Sequence, residues 1–556
     1  MRETVVGETR NKETISVFLD NMKKFISLMS CLVLAGTVMA KPAYRGPIVQ
    51  IAEDGTEKTV YLHGDESFSY MTDEAGEWLD ETTLQPMTAS QKQFRLAEQV
   101  KARRAPKTTE ATKAGGKPNL APHGLVILVN FQDQEFVTPA DTIDSLLTGY
   151  NFSRKYSYKK KSGSQTITVN VKSKGSARQY FYDQSYGSYN PTFDVIGPVT
   201  INHDFAYYGE PVKDAQGNIT EHDKNPREMI REACLKADEA GVDFSQYDND
   251  GDGYVDFVYV IYAGFGEADG GGVNTVWPHQ WSLAPLAVKI DGKTLGRYAC
   301  GCEMNNISKV FDGIGTFCHE FSHVLGLPDL YVTVNMDNPP HTLGSWSIMD
   351  YGPYNNDGNT PPAYSAYERF YMGWLTPRLL VDQEKVTLHN INNGTGESLL
   401  ISEEDQLPSV GWNPTPKVFY MLEARVQKGW DEFLAGEGML ITKIQYDSKK
   451  WQQNTVNNDP DNMGVDILEA KANYSKTAAA SDAFPAGATQ WTALEGHEVM
   501  NISRNMRTGA VIFYYRGDPQ GIEDIEDGKA AQKILRDGKV VIIRGGVEYD
   551  LNGQQL

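Results

Sequence analysis

The amino-acid sequence predicts an α+β protein, a helix-and-sheet unit followed by a β-rich region, and three observations carry that expectation. Two uniformly apolar runs, Gly124 to Phe131 and Phe257 to Tyr262, have the length of strands buried on both faces. Between them, Asn225 to Ala240 repeats its apolar residues at helical spacing. After Trp374 the pattern changes to short alternating runs divided by turns, as in Phe419 to Arg425 and Gly438 to Ile444, which is how antiparallel sheet is written.

Taken in chain order, the first element is an apolar run from Phe25 to Met39, preceded by Lys23 and Lys24 and followed by Val38-Met39-Ala40. The charged start, short hydrophobic centre and small-residue exit are those of a secretory signal, so residues 1–40 are expected to be removed, with translation starting at Met22. The run falls short of the roughly twenty apolar residues that span a bilayer. Residues 41–122 form a leading segment and linker; Lys101, Arg103, Arg104 and Lys107 stand in or beside a stretch rich in Pro, Thr, Gly and Ala that suits proteolytic cleavage. The helix-and-sheet domain, which holds the motif described below, is expected over 123–380 and a β-rich part over 381–516. Residues 517–556 open with an acidic hinge at Gly521 to Asp527 and close with a β-patterned tail.

With 556 residues the chain exceeds what one core usually organises. Its 73 Asp and Glu against 52 Lys and Arg give a net charge of -21, which repels nucleic-acid phosphates and favours solubility outside a cell.

The chemistry is concentrated in Cys318-His319-Glu320-Phe321-Ser322-His323-Val324-Leu325-Gly326-Leu327-Pro328-Asp329, which reads H-E-x-x-H-x-x-G-x-x-D. On a helix His319 and His323 project from one face and can bind one zinc ion, with Glu320 beside the metal's water as general base. Gly326 tolerates the left-handed conformation that ends a helix and Pro328 prevents resumption, so the chain can turn back and present Asp329 as third ligand. His279 and His341 remain alternatives for that position. Downstream, Gly344-Ser345-Trp346-Ser347-Ile348-Met349-Asp350-Tyr351-Gly352 has the form of a Met-turn, with Met349 as a hydrophobic floor beneath the imidazoles.

A second constellation, Asp248-Asn249-Asp250-Gly251-Asp252-Gly253-Tyr254-Val255-Asp256, sets Asp248, Asp250, Asp252 and Asp256 to converge on calcium. The twelfth position is Tyr259 in place of a bidentate Glu, and a strand follows where an EF-hand needs a helix, so a structural role is expected. Cys234, Cys300, Cys302 and Cys318 all fall in the catalytic region; in an exported protein a bond from Cys318 to Cys300 or Cys302 would staple the metal helix, and buried thiols are the equal alternative.

These motifs resemble the metzincins and, within them, the M6 or immune inhibitor A-like family of bacterial metalloendopeptidases, whose HEFGHxLGLPDLYD and WDIMxYG correspond here to HEFSHVLGLPDLYV and WSIMDYG. Ser322 replaces a small Gly, and Asp329 stands where most metzincins have His, as is common in M6. The resemblance runs from about Gly124 to Tyr515, taking in the YxLExR pattern at Tyr420 to Arg425 and the Gly429-Trp430-Asp431 turn. It implies a metzincin-like catalytic domain and a calcium loop of the kind seen in M6 proteins. It also implies that 41–122 is a propeptide, and that the Tyr351 hydroxyl stabilises the tetrahedral intermediate. Because 41–122 contains no cysteine, latency needs another group, for which Asp65 or Glu66 is the candidate. The tail resembles the C-terminal sorting signals of Bacteroidetes secreted proteins; a plain β-hairpin cap is the other reading.

The expected function is therefore a secreted zinc endopeptidase, monomeric, acting on proteins and handled by secretion machinery, with retention at the cell surface as a variant of that reading. A catalytically idle secreted binding protein on the same scaffold is the alternative, and the intact Glu320 argues against it. A zinc enzyme with a non-peptide substrate would share the ligands.

Overall fold

The computed structural model of the chain describes residues 39–52, 55–66, 68–104, 118, 120, 122–162, 165–334, 339–472, 478–517, 532–536, 539–544, 547–550 and 555–556. The expected signal, apart from Met39 and Ala40, and the acidic hinge lie outside the described residues.

The leading segment folds as a four-stranded antiparallel sheet, β1 (Pro47–Ile51), β2 (Glu57–Asp65), β3 (Phe68–Thr72) and β4 (Trp78–Leu79), paired in that order. Helix α1 (Ala89–Arg104) follows, so Lys101, Arg103 and Arg104 stand on a helix and not in an extended linker.

The catalytic region is built on a mixed five-stranded sheet of β5 (His123–Asn130), β8 (Thr192–Thr200), β9 (Val258–Phe265), β10 (His279–Ser282) and β11 (Arg297–Met304), in the order β10-β11-β9-β5-β8. The pairings β11-β9, β9-β5 and β5-β8 are parallel, and β10 closes the edge antiparallel, His279 opposite Cys300. A hairpin, β6 (Lys155–Ser162) with β7 (Gln165–Lys172), and the short helices α2 (Ala140–Thr148) and α3 (Ala177–Gln184) lie between β5 and β8 in sequence. The unbroken apolar run in β5 has a direct cause. Val126 and Leu128 join one core while Leu125, Ile127 and Val129 join another, so the strand is buried on both faces.

Helix α4 (Pro226–Glu239) places Met229, Ile230, Ala233 and Ala237 in the second core, and α5 (Gly315–Leu325) places Phe317, Phe321 and Val324 in the first. The two helices therefore cover opposite faces of the sheet. This separation also decides the cysteines: Cys300 and Cys302 lie in the α4 core and Cys318 in the α5 core, with the sheet between them. All four are buried free thiols, which is the second of the two readings of the sequence, and no bond staples the metal helix.

The α5 core continues without interruption into the C-terminal part, through Tyr367, Phe419, Met421, Trp430 and Trp451. There β12 (Arg378–Leu379), β14 (Leu399–Ile401), β15 (Val418–Arg425), β16 (Gly438–Gln445) and β17 (Val465–Ile467) form a second five-stranded sheet in that order. Strands β13 (Glu384–Leu388), β18 (Val499–Arg504) and β19 (Val511–Tyr515) form a third sheet, and both enclose a further core. The described part of the tail is a three-stranded antiparallel sheet, β20 (Gln532–Arg536), β21 (Lys539–Arg544) and β22 (Val547–Tyr549). Among the described residues no helix is long and apolar enough to cross a membrane.

Candidate metal centre and cleft

Helix α5 stops at Gly326, whose φ of +113° no L side chain adopts without strain. Its N–H donates back to the Ser322 and His323 carbonyls at 3.1 and 2.9 Å, and the chain reverses through Pro328. That reversal returns Asp329 to the helix. Its Oδ1 lies 3.3 Å from His319 Nε2 and 3.2 Å from His323 Nε2, and the two Nε2 atoms are 3.1 Å apart. The other nitrogen of each ring is already committed. His319 Nδ1 lies 2.7 Å from the Ile348 carbonyl and His323 Nδ1 lies 2.8 Å from the Leu327 carbonyl. A carbonyl can only accept, so each Nδ1 carries the proton and each Nε2 lone pair points inward.

Three unprotonated donors thus face one point in a fully buried pocket, and Asp329 Oδ1 has no hydrogen-bond donor of its own. Such an arrangement repels itself unless a cation lies between the atoms, and two imidazoles with one carboxylate fit zinc with a coordination position to spare. Burial opposes ionisation of Asp329, but the two imidazoles outweigh it and hold its carboxyl well below the usual range. The neighbouring Glu320, also fully buried, is pushed up to about 8, chiefly by burial.

No local pattern announces the residue that orients Asp329. Asn454, just beyond helix α7 (Ser448–Gln452), donates from Nδ2 to Asp329 Oδ2 at 2.5 Å and accepts the Asp329 N–H at 2.8 Å. The alternatives for the third ligand lie elsewhere. His279 is engaged at both nitrogens, by the Trp277 carbonyl at 2.7 Å and the Tyr298 hydroxyl at 2.8 Å, and His341 faces Asp482 at 3.4 Å. Met349 is completely buried in the α5 core, and its turn braces both ends of the centre: Ile348 holds His319, and the Met349 carbonyl accepts the Leu330 N–H at 2.8 Å.

Alongside runs the segment 39–43, joined to the edge strand β10 by a single antiparallel bridge at Met39. Met39 and Gln280 exchange backbone hydrogen bonds of 3.1 and 2.6 Å. The peptide bond between Ala40 and Lys41 is then held at both ends, its N–H donated to Glu320 Oε1 at 3.0 Å and its carbonyl oxygen accepting from the Tyr331 hydroxyl at 2.5 Å. Trp277 Nε1 donates to the Lys41 carbonyl at 3.0 Å and the Tyr354 hydroxyl to that of Pro42 at 2.6 Å. Tyr351, the residue the sequence suggested for the oxyanion, lies with its ring 3.6 Å beneath the Arg45 guanidinium. Tyr331, two residues past Asp329, supplies the hydroxyl at the carbonyl instead. Asp65 accepts the Phe68 N–H at 3.2 Å in its own hairpin, and the group on Glu320 is the Lys41 amide.

In the acidic loop Asp248, Asp250 and Asp256 bring carboxylate oxygens within 4.8 Å of one another. Asp252 takes the local role of accepting the Tyr254 N–H at 2.9 Å. Lys293 Nζ lies 2.7 Å from Asp248 Oδ2, while Asp248 Oδ1 is buried without a hydrogen-bond donor. An oxygen-only donor set with one orphaned atom suits a hard cation such as calcium.

Residues 116–375 match the model of the immune inhibitor A peptidase M6 catalytic domain. The chain is 26% identical over 295 residues to Immune inhibitor A of Bacillus thuringiensis subsp. alesti, covering 49% of this chain and 42% of that protein. It is 28% identical over 243 residues to Pre-pro-metalloprotease PrtV of Vibrio cholerae serotype O1, covering 39% of this chain and 25% of that protein. The chain thus spans less than half the length of either relative.

Proposed function

We propose that this chain, whose residues 116–375 match the M6 peptidase catalytic-domain model, is a secreted, metzincin-like zinc endopeptidase acting on protein substrates. The observation that carries this reading is the convergence of His319, His323 and Asp329, each 3.1–3.3 Å from the next, with both Nδ1 protons committed to backbone carbonyls. Zinc held by these three side chains would polarise the scissile carbonyl and acidify a bound water. Glu320 would hold a proton at its carboxylate and pass it to the leaving amine, a role that its contact with a peptide N–H at 3.0 Å suits. The Tyr331 hydroxyl steadies the carbonyl oxygen, and Tyr351 comes within reach once Arg45 departs with the leading segment.

Residues 41–122 act as a propeptide, since Lys41 and Pro42, at its start once the signal is removed, occupy the cleft through contacts with Glu320, Trp277 and Tyr354. The loop at Asp248, Asp250, Asp252 and Asp256 binds calcium for stability. The tail serves export or surface retention, and the protein works as a monomer. Incubating the purified full chain with casein, with and without a zinc chelator, tests the reading: hydrolysis that the chelator abolishes and added zinc restores is expected, and hydrolysis indifferent to chelation would contradict it.

A further inference from the structure

Lys41 reaches from the cleft into a closed pocket and is 1% exposed. Its Nζ lies 2.9 and 3.1 Å from the two oxygens of Asp269, 2.9 Å from Thr316 Oγ1 and 3.8 Å from Asp312 Oδ2, with the Tyr354 ring 4.8 Å away. The pocket is built before its occupant arrives. Thr316 stands one turn ahead of Glu320 on the same face of α5 and donates to Asp312 Oδ2 at 2.6 Å, while Asn305 holds Asp312 Oδ1 at 3.0 Å. Every one of these side chains belongs to the region matched to the peptidase domain, so the pocket outlasts removal of the leading segment.

We propose that this pocket is the specificity site for the residue that follows the scissile bond, and that it selects a basic side chain, with Lys41 as the observed occupant. The inference rests on the peptidase reading above and adds to it a substrate class. Two features of the docked segment locate the pocket on the leaving-amine side. Lys41 gives its backbone N–H to Glu320, and the carbonyl before it is gripped by Tyr331, so a substrate bound in the same register would be cut just before its basic residue. Water's hydroxyl then joins the carbonyl carbon, the C–N bond breaks, and the second proton travels through Glu320 to the new α-amine. Charge sets the preference. Asp269 is almost fully buried, and an apolar side chain would remove its 2.9 Å ion pair, whereas an ammonium or guanidinium supplies one.

The test is mass spectrometry of the new N-termini that the active enzyme, prepared from the full chain, generates in casein. Peptides beginning with Lys or Arg should outnumber, relative to their abundance in casein, those beginning with Met or Leu by at least about tenfold, and Asp269→Asn should bring that ratio close to one. Should Asp269→Asn fail to accumulate, competition supplies the second reading: a short peptide beginning with lysine should inhibit the wild-type enzyme at least about tenfold better than its norleucine counterpart. Casein hydrolysis with no enrichment of basic residues overturns the pocket assignment alone. An absence of chelator-sensitive hydrolysis overturns the peptidase reading first. Because Cys302 joins Asp269 and Asp312 in a cluster able to hold a metal, zinc content is measured as well; a second equivalent that Asp269→Asn removes would give the pocket to a metal and refute the proposal.

Discussion

Two imidazole nitrogens 3.1 Å apart, neither carrying a proton, define the chemistry at the scale of single residues. The sequence revealed His319, Glu320 and His323 because their relation lies within one helical turn, and Asp329 because Gly326 and Pro328 announce the reversal that returns it. Asn454 was invisible: it meets Asp329 from 125 residues away, and no local pattern encodes such a contact. Second-sphere partners of this kind hold a ligand's orientation and its basicity. Asn454→Ala is therefore expected to weaken zinc affinity by roughly 10–100-fold while leaving the folded state intact. A zinc-competition titration with circular dichroism as the folding control measures both, and unchanged affinity would return Asn454 to a purely packing role.

At the scale of elements, the strands and helices in the catalytic region followed their sequence patterns closely. The run expected at Phe257 to Tyr262 is β9, and Asn225 to Ala240 brackets α4. What the patterns could not express was the reason for the later motif residues. Glu423 and Arg425 on β15 and Asp431 in the turn after it form a completely buried ionic network, with Arg425 2.6 Å from Asp431 and 3.0 Å from Glu423. Asp431 accepts the Ala363 N–H at 3.0 Å and Glu423 that of Ala366, which ties the chain leading into α6 (Ala366–Met372) to the second sheet. Arg425→Met is expected to cost about 3–5 kcal/mol, because it leaves two carboxylates buried without their cation. Chemical denaturation measures this directly; a loss under about 1 kcal/mol would mean that the network is dispensable.

The acidic loop makes the complementary prediction. Calcium should displace Lys293 from Asp248 and stabilise the protein by about 2.7 kcal/mol at a hundredfold excess over its Kd. A melting temperature indifferent to calcium, in protein first stripped of metal, would leave the loop as an acidic turn held by Lys293.

Across the whole molecule, the same core that seats α5 runs on through Phe419, Met421 and Trp451, so the metal centre is shared between regions that sequence reading separates near residue 380. Apolar patterning distinguishes strands from helices but does not say which cores merge, and this junction therefore escaped the sequence. The leading segment escaped it in the same way. A propeptide over 41–122 is what the family resemblance implies, but the placement of Lys41 on Glu320 is a contact across 279 residues. What unites these features is a buried carboxylate, Glu320, which the proposed mechanism has moving a proton between water and a leaving amine without itself holding the metal. Glu320→Ala, measured for casein hydrolysis and zinc content on one preparation, tests that most directly. Hydrolysis is expected to fall at least about a hundredfold with zinc held near one equivalent per chain; full activity in that variant would contradict the mechanism.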